Sequence, residues 1–224
     1  MTESHDSDGK SGCVLLFSGG RDSTIAALRL NPVYRPLLLL TITSAHLHGI
    51  ETVKSRLNEL RRLLSPGTEW IHAVAKPNGL GMEYSEIKSC LPCHSVYFLI
   101  ALRIADDRGI AHIAAGYAGY QSSWLEQTPA ALDQLTRIMG GMGKTLLVPA
   151  QNVLSKDEAK SILRSYELSD RALEQKCTKQ QFNTREIQPD RATKEIENWG
   201  RNLERVLSLR DAGDFVEIRE TMIF

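Results

Sequence analysis

The stretch FSGGRDSTIAALRL, residues 17–30, follows directly on the apolar run CVLL. Ser18, Gly19, Gly20, Arg21, Asp22 and Ser23 bring hydroxyls, flexible backbone and one carboxylate to a point where a strand pattern gives way to a helix pattern. Those residue types at that junction suit the holding of an anion. Glycines let the backbone turn tightly and approach a ligand with no Cβ in the way. The unpaired amides of a helix start, helped by the helix dipole, attract negative charge. Ser18 and Ser23 offer hydroxyls to phosphate oxygens, and Arg21 offers a cation. Asp22 would repel a phosphate unless it caps the helix or holds a magnesium ion, Mg2+, between them. A tight turn with a helix cap and no ligand uses the same residues. Neither the G-x-x-x-x-G-K-[ST] phosphate loop nor the G-x-G-x-x-G dinucleotide fingerprint is present.

The cysteines are the second group able to do chemistry. Cys90 and Cys93 form a C-x-x-C within SCLPCH, at the start of an apolar helical stretch, and Cys177 lies far downstream in LEQKC. Cys13 sits inside the first apolar run and reads as a small buried hydrophobe. A C-x-x-C at a helix start favours thiolate. Three thiolates with one open coordination position suit a [4Fe-4S] cluster. Zinc, Zn2+, would want a fourth ligand, which the adjoining His94 could supply. A pair of loop cysteines with no metal is the other reading.

The elements that must position these groups alternate along the chain. Strands are expected at 13–18, 36–43, 69–76, 110–117 and 144–150. Helices are expected at 23–30, opening at its serine, at 49–64 with Val53, Leu57, Leu60 and Leu64 on one stripe, and at 93–109, stopped by glycine. Strands separated by helices imply right-handed crossovers, hence an α/β fold with a doubly wound, mostly parallel sheet. Ligands bind such sheets beyond the carboxyl ends of the strands. That gathers residues 18–23, 43–48, the loop after Lys76 and GYAGYQSSW. Residues 1–12 read as a polar tail, 13–150 as the α/β core, and 151–224 as a mainly helical extension of the same domain with a last strand at 214–220.

An apolar fraction of 42%, a charged fraction of 24% and a net charge of zero are those of an ordinary globular protein, without the basic signature of a nucleic-acid binder. No apolar run approaches the roughly 20 residues that span a bilayer, and no apolar signal core follows the N-terminus. A cytoplasmic location without a membrane partner is expected, where cysteines serve as thiols or ligands rather than disulfides.

SGGRDS after an apolar strand resembles the SGGxDS signature of the PP-loop ATP pyrophosphatases, and it matches at every fixed position. The resemblance implies a Rossmann-like, adenine nucleotide alpha hydrolase-like fold. It also implies ATP with its pyrophosphate in the loop and adenine near residues 41–45, Thr43 included. The reaction implied is adenylation of a substrate carbonyl oxygen, after which sulfur or nitrogen displaces AMP. The spacing of Cys90, Cys93 and Cys177 is similar to that of iron–sulfur-dependent tRNA thiolases, in which the cluster carries the attacking sulfur. Length, and VPAQNVLSKDEAKSIL followed by a cysteine, are similar to 7-cyano-7-deazaguanine synthase, which makes an amide and then a nitrile from ammonia. That family's further zinc cysteines are absent after Cys177.

Two routes to sulfur are therefore expected, a cluster or a persulfide on Cys90 or Cys93 resolved by Cys177. The expected acceptor is a small nucleobase-like heterocycle served by a sulfur donor, with tRNA disfavoured by the neutral charge. Ammonia-dependent nitrogen transfer and a non-catalytic nucleotide-binding module are the alternatives. Lys156 resembles a lysine that these enzymes place near the phosphates, or is a surface lysine at a helix start. Glu126 and Gln121 would contact the substrate edge, Glu126 reading equally as a helix-start glutamate, and Trp124 would stack on the ring. His46 and His48 read as loop histidines. MGGMGK, 139–144, reads as a flexible connection or lid. YFLIALRIA, apolar nearly all round, suits a homodimer or a core helix equally.

Overall fold

A computed structural model describes residues 11–76, 89–179, 189–211 and 214–224. The polar tail and the loop after Lys76 lie largely outside the described residues. Strands β1 (Cys13–Leu16), β2 (Leu37–Thr43), β4 (Glu69–Ala75), β5 (His112–Ala115), β6 (Thr145–Leu147) and β8 (Val216–Ile223) form one sheet in the order β6-β5-β1-β2-β4-β8. Every pair is parallel except β4–β8, which is antiparallel and slips register between His72 and Ala73. The doubly wound, mostly parallel α/β fold is thus the one the strand–helix alternation implies. The last strand lies two residues later than expected and closes the β4 edge.

Alternation along the strands splits the core into two layers. Leu15, Leu37, Leu39 and Trp70 face one side, with helices α1 (Arg21–Leu30), α2 (Ile50–Leu60) and α5 (Lys156–Ser165). Val14, Leu38, Leu40 and Ile71 face the other, with α3 (Leu91–Asp107), α4 (Pro129–Gly141) and α6 (Pro189–Leu207). Phe98, Leu99, Ile100, Ala101 and Leu102 are fully buried, so this chain's own sheet and helices use up the apolar run of α3. Among the described residues no helix is long and apolar enough to cross a membrane.

Three local expectations change. α1 begins at Arg21 with Gly20 as its extended N-cap, and Ser23 lies inside the first turn. The Ser23 and Thr24 hydroxyls donate back to the Gly20 carbonyl, which lets a serine sit there rather than open the helix. MGGMGK is the ordered end of α4, pinned by Lys144, which donates to the Ile110 carbonyl and pairs with Asp106. A two-stranded antiparallel ribbon, β3 (Leu47–His48) with β7 (Lys176–Cys177), had no signal in the sequence.

Candidate functional site

A cleft of about 330 Å³ opens where β1, β2 and β5 end. Its floor is the glycine loop. Gly19 has φ of +78°, and a Cβ there would lie 2.8 Å from the Leu173 carbonyl oxygen. The Ser18 hydroxyl accepts from the Gly20 amide at 3.2 Å and lies 3.0 Å from the Ser23 hydroxyl. The strand end of β5 abuts this turn so closely that a Cβ on Gly116 would fall 2.5 Å from Ser23 N and Cα. Gly116→Ala must push β5 and α1 apart. Affinity for a non-hydrolysable ATP analogue should fall about tenfold or more, as titration calorimetry would read.

A segment from Leu168 to Cys177 straps the loop from above. Arg56, with no solvent exposure, donates to the carbonyls of Gly19 (3.4 Å), Ser169 (2.9 Å) and Arg171 (2.7 Å) and pairs with Glu59. Arg21 lines the cleft while its Nε donates to the Asp170 carbonyl at 2.8 Å. Gln175 holds the other end, donating to the Ile42 carbonyl at 3.1 Å and accepting from Thr43 Oγ1 at 2.7 Å. Thr43 is thus engaged with the strap and with His72 (2.9 Å), while Thr41 is buried and donates to the Phe17 carbonyl.

Asp22 does not cap α1. Its two carboxylate oxygens lie 2.9 Å from the Tyr120 hydroxyl, which donates to them. Burial pushes its pKa up, against the pull of Tyr120 and Arg21, and neighbouring Glu174 pushes the same way as burial. Glu174 Oε2 is buried beside the loop and has no hydrogen-bond partner among the described residues. Two carboxylates flanking an anion loop, one with an orphaned oxygen, fit a magnesium ion that takes its remaining ligands from phosphates and water.

The cysteines lie beyond one wall of the cleft. Cys90 is the N-cap of α3 and Cys93 lies in its first turn, with Sγ 3.5 Å from His46 Nε2. Cys177 pairs with Leu47 in the ribbon, close enough for its charge to act on Cys93. The helix start does not win a thiolate here, since burial pushes the Cys93 thiol up to about 11. Among the described residues no group of three or more His, Cys, Asp or Glu side chains is arranged to hold a metal ion. The three cysteines as placed therefore do not fit a cluster or zinc. His94 is no ligand either, since its Nδ1 bonds the Tyr117 hydroxyl and its ring stacks on that phenol.

The opposite wall carries Tyr117, Tyr120, Gln121, Trp124 and Gln127. Gln121 and Trp124 stand where the sequence put the substrate. Glu126 does not, being 5% exposed and absent from the cleft lining, though its neighbour Gln127 is there. Lys156 is exposed at the start of α5, a helix capped by Ser155, and does not reach the cleft. His46 contacts Ser44 and Cys93, while His48 is exposed in β3. Arg56, Glu174 and Gln175 were missed by the sequence reading. Only Arg56 left a trace, as a charge on the apolar stripe of Val53, Leu57 and Leu60.

Burial lowers the pKa of His46, His72 and His94. The folded chain keeps these rings neutral, whereas unfolded histidine takes a proton near 6.5. Their contribution is complete above that value and lost as pH falls through the lowered folded values. Midpoint temperatures by calorimetry should therefore drop on going from pH 7.5 to 5.5, and His94→Phe should flatten that slope.

No family model and no curated protein matches the sequence. Solved structures do. A 4-thiouridine synthetase in complex with RNA and bound ATP is 19% identical, with a TM-score of 0.63 over 94% of this chain and 55% of that one. The chain thus spans about half the length of that neighbour. NMN synthetase from Francisella tularensis is 12% identical, with a TM-score of 0.53 over 88% of this chain and 87% of that one. Such likeness concerns architecture alone: the chain has an α/β, Rossmann-like fold of the adenine nucleotide alpha hydrolase type.

Proposed function

We propose that this chain is an ATP-dependent enzyme that forms AMP and pyrophosphate, adenylating a carbonyl oxygen of a nucleobase-like heterocycle and replacing it with sulfur. The observation that carries the reading is a single cleft. It joins the glycine loop to a wall of planar side chains, and Tyr97 in its lining lies close enough to feel the charges of Cys93, Cys90 and Cys177. In this reading the amides opening α1, with Ser18 and Ser23, hold the pyrophosphate part of ATP. Asp22 and Glu174 would hold magnesium, which would offset phosphate charge. Trp124 stacks on the acceptor ring.

The carbonyl oxygen attacks the α-phosphorus and pyrophosphate leaves. A persulfide on Cys93, loaded by an external sulfur donor, attacks the activated carbon and expels AMP. Cys177 then attacks the Cys93 sulfur of the mixed disulfide, releasing the thiolated product. A Cys93–Cys177 disulfide remains, and an external thiol reduces it. Such a cycle suits a reducing cytoplasm.

The test offers ATP, magnesium, a persulfide donor and a choice of free heterocycles or RNA, with AMP and pyrophosphate measured together. Equimolar release that requires Cys93 supports the reading. Turnover on ammonium alone, untouched by Cys93→Ser, would move the assignment to nitrogen transfer of the 7-cyano-7-deazaguanine synthase kind. Nucleotide binding without release would leave a binding module. The neighbour bound to RNA argues for including RNA, and the zero net charge argues for a free heterocycle.

A further inference from the structure

Burial keeps the Cys93 thiol protonated at neutral pH, its pKa pushed up to about 11. A thiol in that state is a poor nucleophile unless a base beside it takes the proton. His46 stands in that place. Its Nε2 is 3.5 Å from Cys93 Sγ, bonding distance for an atom as large as sulfur. Two contacts fix the histidine. Its carbonyl accepts from the Thr178 amide at 3.0 Å, which ties it to the β3–β7 ribbon. Its ring edge lies against the Ser44 hydroxyl, 3.2 Å from Nε2 and 3.4 Å from Nδ1. Ser44 is itself bonded to the Tyr97 side chain, and Tyr97 lines the cleft. Cys177 Sγ has a different neighbour, accepting from the Lys179 amide at 3.3 Å. The charged and titratable groups acting on the pair are Lys179, Glu126, Cys177 and Tyr97. Burial first, and then the Lys179 charge, hold His46 below its ordinary 6.5, so at pH 7 the ring is neutral and able to accept.

We infer that His46 is the catalytic base that activates Cys93, taking the thiol proton as Cys93 Sγ attacks a persulfide donor and returning it to the sulfur that leaves. The inference rests on the sulfur-transfer reading. It adds the group that makes Cys93, rather than Cys90 or Cys177, the sulfur carrier. The step balances. Cys93 Sγ bonds to the outer sulfur of a donor R–S–SH while the S–S bond of the donor breaks. The electron pair of that bond stays on the inner sulfur, which takes the proton from His46 and departs as R–SH. Cys93 is left as a persulfide, and no oxidant or reductant is consumed. A nucleophile and a base in hydrogen-bond reach, with a third group holding the base, is the arrangement that this chemistry needs.

The test is alkylation of the full, nucleotide-free chain by iodoacetamide, followed at each cysteine by peptide mass spectrometry over about pH 5.5–9.5. Cys93 should be the fastest thiol. Its rate should rise below pH 6.5, as His46 loses its proton, and then level off through neutral pH. In His46→Gln the same thiol should react about a hundredfold more slowly at pH 7 and keep gaining rate toward its own high pKa. Loading by a small-molecule persulfide, read as one sulfur gained on the Cys93 peptide, should slow by a similar factor. Cys13, with no solvent exposure, stays unlabelled only while the chain is folded, and His46→Asn repeats the measurement with a smaller side chain. The same Cys93 profile in the parent and in His46→Gln, or Cys90 or Cys177 reacting fastest in the parent, would overturn the inference. Neither measurement uses ATP. A silent His46 therefore leaves adenylation standing, and an activated Cys93 without AMP release sinks adenylation alone.

Discussion

Asp22→Asn is expected to lower AMP formation by about 10²–10³-fold while raising the midpoint temperature of the ligand-free chain at pH 7. The two effects share one cause. Burial lifts the pKa of Asp22 above its ordinary 3.8, and Glu174 lifts it further. A carboxyl with a raised folded pKa stabilises the fold below 3.8 and loses that contribution as pH rises through the folded value. At neutral pH its charge is therefore a cost to the empty fold. Asparagine keeps an oxygen for the Tyr120 hydroxyl and removes the charge. It also removes a carboxylate that magnesium and phosphate chemistry would use, which is where the loss of rate arises. Calorimetry and chromatographic quantitation of AMP read the two quantities. A variant as active as the parent would remove Asp22 from the chemistry.

The second large effect concerns Arg56→Leu. One buried guanidinium ties the Gly19 carbonyl to the strap carbonyls of Ser169 and Arg171 and to the Glu59 carboxylate. Removing it leaves three acceptors and part of a carboxylate without their donor. Losses at buried charged networks of this kind run to about 3–5 kcal/mol, readable by urea unfolding. Because Gly19 and the strap are linked only through such bonds and close packing, ATP-analogue affinity should fall as well, by about tenfold or more at a site whose geometry has slackened. Arg56→Lys keeps the charge but not the fork, so it should recover part of the stability and little of the affinity. Unchanged unfolding in Arg56→Leu would refute the role given to it.

Much of the sheet was legible because the two side-chain periods are unmixed. CVLL and PLLLLTIT can only be buried strands, and the stripe of α2 marks its inner face. Element ends were less legible. Ser23 has the chemistry of a cap, yet Gly20 takes that place because the loop's tight geometry fixes the helix start earlier. The glycine loop was readable from local types alone, and Gln121 and Trp124 from their position after a strand. Glu126, Lys156 and the thiolate at Cys93 went astray for a common reason. Local sequence names a side chain's chemistry but not its burial or its reach: burial decided Glu126 and Cys93, while Lys156 stands exposed on α5 away from the cleft. Glu174 and Gln175 come to the loop and to β2 from more than a hundred positions away, and Arg56 gains its role by bonding both Gly19 and the distant Ser169, which no local pattern shows.

Those spans bear on how the chain is made. Arg21 and Asp170 are 149 positions apart, and Arg56 meets Ser169 across 113. On the ribosome, synthesis runs from the N-terminus at about 5–20 residues per second, so the glycine loop emerges well before the strap that roofs it. Over that interval the nascent chain carries the glycine loop without its roof. On the proposed reading, nucleotide would stabilise the product by mass action only once the strap has left the exit tunnel. Until then, the hydrophobic layers alone must keep the growing chain from aggregating.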